Sequence, residues 1–170
     1  LTVAPPAITV SPLSIDIGLL EQDACTTADL TVTNTGDGTL LFEITGYGSG
    51  DLTADPAVGS VSPGAFSTVT LTVCATDLGP GAHQIDAVIS SNDPDNPQIT
   101  VPVNFTVPTP DILVDPVEFE ISLGSDMVGT ADLTITNTGD GTLTFDISVI
   151  YGSGDEPNGD GISWISVQPG

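Results

Sequence analysis

Four oxygen-bearing side chains, Asp155, Glu156, Asn158 and Asp160, fall within the Gly-bearing run DEPNGDG at residues 155–161. Calcium takes six to eight oxygen ligands, and carboxylates, an amide and backbone carbonyls on a tight loop can supply them. The run lacks the twelve-residue spacing of an EF-hand, so it stands as a candidate calcium loop, and nothing in the chain requires a cofactor. His83 is the single histidine and shares the side of Ile85 in an alternating run, which suits a partly buried structural residue; a zinc site or a hydrolytic triad needs partners this chain lacks. Asn104-Phe105-Thr106 is an N-glycosylation sequon with Asn104 on the outward side of its run. Trp164, with Ile162 on its side and Ile165 on the other, reads as core rather than as a sugar platform, because it has no companion aromatics. Cys25 and Cys74 are the two cysteines, and no CxxC occurs. No nucleophile, base and oxyanion arrangement can be assembled from these residues, so the chain is expected not to be an enzyme.

The elements that position these residues are organised by a repeat. TADLTVTNTGDGTL at residues 27–40 returns as TADLTITNTGDGTL at residues 130–143, with Val32 replaced by Ile135. Such identity marks one structural unit used twice. Ala28, Leu30 and Val32 alternate with Asp29, Thr31 and Thr33, the period of a strand with one buried face. NTGDG then breaks the strand, because Gly tolerates positive φ and Asn and Asp bond to nearby backbone. Leu40, Phe42 and Ile44 start a second strand, and Leu143, Phe145 and Ile147 repeat that inward set. Further alternating runs carry Val69, Leu71 and Val73, then Ile85, Ala87 and Ile89, then Ile99, Val101, Val103, Phe105 and Val107. Ahead of the repeat, ITVSP and SIDIG read as a strand broken at Pro12, matched by ILVDP and VEFEISLG around Pro116. Residues 46–64 read as a long connection rich in Gly, Asp and Pro. About seven strands in roughly 100 residues give an all-β first domain over residues 1–107. Pro108-Thr109-Pro110 reads as a stiff spacer, and residues 111–170 form an incomplete second domain, since nothing among these 170 residues repeats residues 65–107.

Charge narrows the partners. The chain has 23 Asp and Glu, no Lys or Arg, and a formal net charge of -23, although charged residues are only 14% of the total. Typical proteins carry about 25%, so the anomaly is missing cations rather than added anions. No Lys or Arg salt bridge can form, and a surface without basic groups offers nothing to nucleic acid or to an anionic membrane. No apolar run approaches bilayer-spanning length, and the segment at Leu1 has no signal-peptide pattern, so the chain reads as a mature or excised product.

The runs ITVSP, SIDIG, LTVTNTGDGTL, VSPG and GPGAHQIDAVISSNDPDNPQITVPVNFTV resemble the ASH/Hydin-like immunoglobulin modules, as found in tandem choice-of-anchor and BACON-like repeats of secreted bacterial surface proteins. The resemblance implies tandem immunoglobulin-like β-sandwiches, the second lacking its C-terminal strands within this chain. It brings no catalytic residues, and it makes SNDPDNP at residues 91–97 an ordinary turn rather than a calcium loop. In that topology the strands that begin near Cys25 and end at Cys74 are antiparallel neighbours, so a disulfide between them is expected.

The expected protein is therefore extracellular, non-enzymatic and structural: a subunit or segment of a surface filament or stalk. Its incomplete domain would be completed by further chain or by a neighbouring subunit, which makes self-association or further modules the expected partners and excludes membrane insertion. A sugar- or protein-binding adhesin is one alternative, and an accessory domain of a larger secreted enzyme is another.

Overall fold

The computed structural model describes residues 4–120, 122 and 127–148. Every regular element among them is a strand. In chain order these are β1 (Ile8–Ser11), β2 (Ile15–Leu19), β3 (Cys25–Asn34), β4 (Leu40–Gly48), β5 (Asp51–Asp55), β6 (Val58–Val61), β7 (Phe66–Cys74), β8 (Gly81–Ser91), β9 (Gln98–Val107), β10 (Ile112–Asp115) and β11 (Thr134–Asn137).

The first nine strands build an immunoglobulin-like sandwich of two sheets. One sheet has the order β1-β3-β7-β5 and the other β2-β9-β8-β4-β6. All pairings are antiparallel except that of β2 with β9. The alternation of the sequence becomes the core directly. Leu30, Val32, Val69, Leu71 and Val73 from one sheet meet Leu40, Ile89, Val101 and Val103 from the other, and all are fully buried. Each such aliphatic side chain contributes about 1.5–3 kcal/mol by leaving water. Pro12 lies where the chain passes from the first sheet to the second, between β1 and β2. With no amide hydrogen to place in a ladder, proline suits that crossing.

The connection expected over residues 46–64 holds two strands, β5 and β6. Both are short edge strands. Their few apolar residues, Leu52, Ala54 and Val61, sit among Gly, Asp and Pro, which hides the alternation. The repeated strand, turn, strand stretch is also an arch rather than a hairpin, because β3 and β4 belong to opposite sheets. NTGDG thus carries the chain across the sandwich.

Beyond β9, β10 pairs with β11 as β1 pairs with β3. Ile8 faces Asn34 and Ile112 faces Asn137; Ser11 faces Thr31 and Asp115 faces Thr134.

Candidate functional site

The repeated turn is a clasp built on one asparagine. Asn34, the last residue of β3, is fully buried. Its Nδ2 donates to the Gly38 carbonyl at 2.7 Å and to the Val61 carbonyl at 3.0 Å, while Oδ1 accepts from Gly36 N at 3.1 Å and Ala7 N at 3.3 Å. Two donors and two lone pairs are all used, which is what an interior amide requires. The lead segment ahead of β1 lies across the turn, held by Thr35 N to the Ala7 carbonyl at 2.8 Å and Gly38 N to the Pro5 carbonyl at 3.0 Å. A Cβ on Gly36 or Gly38 would lie inside the backbone of residues 4–7, so these two glycines are there to let the lead approach.

The same clasp recurs around Asn137. Its Nδ2 donates to the Gly141 carbonyl at 2.6 Å, and its Oδ1 accepts from Gly139 N at 3.1 Å and Asp111 N at 3.2 Å. Thr138 N donates to the Asp111 carbonyl at 2.8 Å and Gly141 N to the Thr109 carbonyl at 3.1 Å. Pro108, Thr109 and Pro110, expected to be a spacer, therefore do the work of residues 4–7: Cβ atoms on Gly139 and Gly141 would strike their backbone.

A second device closes the first unit. The β8–β9 turn places Asn92 on the start of β4: Asn92 Oδ1 accepts Leu41 N at 2.8 Å, Asn92 Nδ2 donates to the Thr39 carbonyl at 3.0 Å, and Asn92 N donates to the Leu41 carbonyl at 3.2 Å. The next residue, Asp93, is 2% exposed and reaches the opposite sheet, where Oδ2 accepts the Ile8 amide at 2.9 Å. Its Oδ1 accepts Asp95 N at 2.9 Å, and Asn96 Nδ2 donates to Oδ2 at 3.2 Å. The Ile8 amide, then that of Asp95, hold the Asp93 carboxyl below the usual value of 3.8 against the opposing effect of burial. The SNDPDNP turn is occupied by these internal bonds. Asn34, Asn92 and Asp93 were not singled out by sequence reasoning; the signal for Asn34 was its place before Thr-Gly in both copies of the repeat.

Cys25 and Cys74 sit opposite each other on β3 and β7 and are joined at an S–S distance of 2.05 Å. His83 is half-buried, stacked on Phe105 with ring centroids 5.6 Å apart, with Nε2 2.8 Å from the Gly79 carbonyl. Asn104 is exposed on β9 between β2 and β8. The candidate calcium ligands Asp155, Glu156, Asn158 and Asp160, together with Trp164, lie outside the described residues. Among the described residues no three acidic, His or Cys side chains gather where they could hold a metal.

Apolar side chains at equivalent positions meet different surroundings in the two units. Ile8, Leu30, Phe42 and Ile44 are buried, at 4%, 0%, 4% and 4% exposure, whereas Ile112, Leu133, Phe145 and Ile147 stand at 49%, 42%, 45% and 41%.

With a two-sheet sandwich, a clasped arch and no assembled catalytic group among the described residues, the class is an immunoglobulin-like structural domain. Residues 6–104, more than half of the chain, match the description "HYDIN/CFA65/VesB-like, Ig-like domain", and the chain belongs to that family. A search of curated proteins returned no match. Among solved structures, a Porphyromonas gingivalis protein of unknown function is 24% identical with a TM-score of 0.53, over 63% of this chain and 50% of that one. The ASH/PapD-like domain 7 of human CEP192 is 13% identical with a TM-score of 0.48, over 59% of this chain and 84% of that one. The chaperone–tip adhesin pre-assembly complex CsuC–CsuE of Acinetobacter baumannii is 11% identical with a TM-score of 0.46, over 59% and 52%. The chain thus spans about half of the Porphyromonas protein.

Proposed function

We propose that this is a non-enzymatic, extracellular structural protein, a segment of a surface stalk or filament built from tandem immunoglobulin-like units. The observation that carries this reading is the second clasp: Asn137, Gly139 and Gly141 seat residues 108–111 with the hydrogen bonds by which Asn34, Gly36 and Gly38 seat residues 5–7. A chain that leaves one sandwich and at once lies in the clasp of the next is suited to array formation. The half-exposed apolar positions of the second unit favour completion by further strands, from more chain or from a neighbouring subunit, because a soluble protein does not leave such a face in water. The disulfide agrees with an oxidising compartment.

Electron microscopy and intact mass on the same native sample test the proposal. The expected result is either a mass above that of the 170-residue chain or ordered fibres. A monomer of 170 residues without fibres overturns it.

A further inference from the structure

The first unit shows what covers the second. Residues 65–107 supply β7, β8 and β9 and eleven of the twenty-one buried apolar residues of the core. They cover Leu30, Phe42 and Ile44, whose counterparts Leu133, Phe145 and Ile147 remain half-exposed. Nothing among the 170 residues repeats that segment. A second copy of this chain cannot readily lend its own, because its β7 is tied to β3 by the Cys25–Cys74 disulfide and its β8 and β9 are central strands of a closed sandwich.

We infer that the second unit is a docking surface for a separate polypeptide segment that repeats the chemistry of residues 65–107, and that an Asn-Asp pair in that segment fixes its register. The inference rests on the proposed function and names the partner that function requires. Three alternating aliphatic strands would cover Leu133, Phe145 and Ile147. Apolar burial alone does not fix how they slide along the sheet: a one-residue slip reverses the faces, but a two-residue slip keeps them. In the first unit that choice is made by polar groups at the sandwich end, Asn92 on Thr39 and Leu41 and Asp93 on Ile8. Their receptors have counterparts in the second unit. Ile112 takes the position of Ile8 in the same β10–β11 register, which turns its amide to the open side of the strand, and Thr142 and Thr144 take the positions of Thr39 and Leu41. Among the described residues, no side chain does for Ile112 what Asp93 does for Ile8. The incoming segment brings an asparagine to Thr142 and Thr144 and, next to it, an aspartate to Ile112. It needs no cysteine at the position of Cys74, because Val128 stands where Cys25 would be its partner.

The test is amide hydrogen exchange on the full 170-residue chain, alone and extended after Gly170 by a second copy of residues 65–107 carrying Cys74→Val. On extension, the Ile112 and Thr144 amides should slow towards the rates of Ile8 and Leu41. Asp93→Ala in the appended copy alone should then return Ile112 to faster exchange by about tenfold or more while Phe145 and Ile147 stay protected, as expected for loss of one hydrogen bond. Asp93→Asn, which keeps one carbonyl acceptor, should restore part of that protection and guards against a variant that fails to fold. Protection of Phe145 and Ile147 with Ile112 unaffected by either substitution would overturn the Asn-Asp lock and leave strand completion standing. No protection anywhere in the second unit would overturn both. Concentration-dependent protection in the unextended chain would make a second copy the occupant and overturn the inference.

Discussion

Asn34 and Asp93 show how single polar side chains hold a core that is otherwise aliphatic. Asn34 serves four backbone groups from a fully buried position. Asn34→Ala leaves those groups without partners and should cost about 3 kcal/mol or more, since each stranded buried group costs roughly 1–3 kcal/mol. Asn137→Ala, at an exposed position, should cost clearly less; urea denaturation of the two variants makes the comparison. Asp93 makes stability depend on pH. Its carboxyl is held below 3.8 in the folded state, so the ionised form is the one that folding favours. That contribution is complete above the unfolded value and is lost as pH falls through the folded value. Thermal melts should therefore steepen in their decline below about pH 4, and Asp93→Asn should flatten that part of the profile while lowering stability at pH 7. A variant with the unchanged acid profile would mean that other carboxylates carry it.

At the scale of elements, the disulfide joins the start of β3 to the end of β7 in the middle of one sheet, closing a sequence separation of 49. Replacing both cysteines by serine should cost about 2–4 kcal/mol, chiefly by freeing the unfolded chain. The fall in denaturation midpoint should match that seen when the unmodified protein is reduced. The strands that bury one face cleanly, such as β3, β7 and β8, were legible because alternation of period 2 survives any tertiary context that leaves one side wet. β5 and β6 were not, because an edge strand of four or five residues needs few apolar positions and can carry Asp and Gly at its open side. The arch between β3 and β4 was read as a turn between neighbours for a similar reason: NTGDG specifies a reversal of the chain, not which sheet receives it. Asn34 was invisible as a clasp because its partners, Ala7 and Val61, lie 27 residues away on either side. The role of Asp93 was hidden in the same way, its bond to Ile8 spanning 85 residues.

At the scale of the whole molecule, a net charge of -23 with no Lys or Arg leaves the fold with repulsion and no ion pairs to offset it. Exposed carboxylates separated by more than a Debye length are screened from one another, and that length shrinks from about 30 Å at 0.01 M salt to about 10 Å at 0.1 M. Stability should therefore rise with sodium chloride; relief of about 1 kcal/mol corresponds to roughly 4–8 °C in the melting temperature of a domain this size. Calcium and magnesium at equal ionic strength separate general screening from a specific site. For the unit spanning residues 4–107 the two ions should give superimposable melts, because no cluster of three ligating side chains forms there and both oxygens of Asp93 already accept hydrogen bonds. A calcium-specific rise that is lost on Asp155→Ala or Asp160→Ala would assign the ion to residues 155–161. A calcium-specific rise that survives those substitutions would mean that carboxylates from separate strands come together around the ion, and the view of this surface as uniformly repulsive would have to be given up.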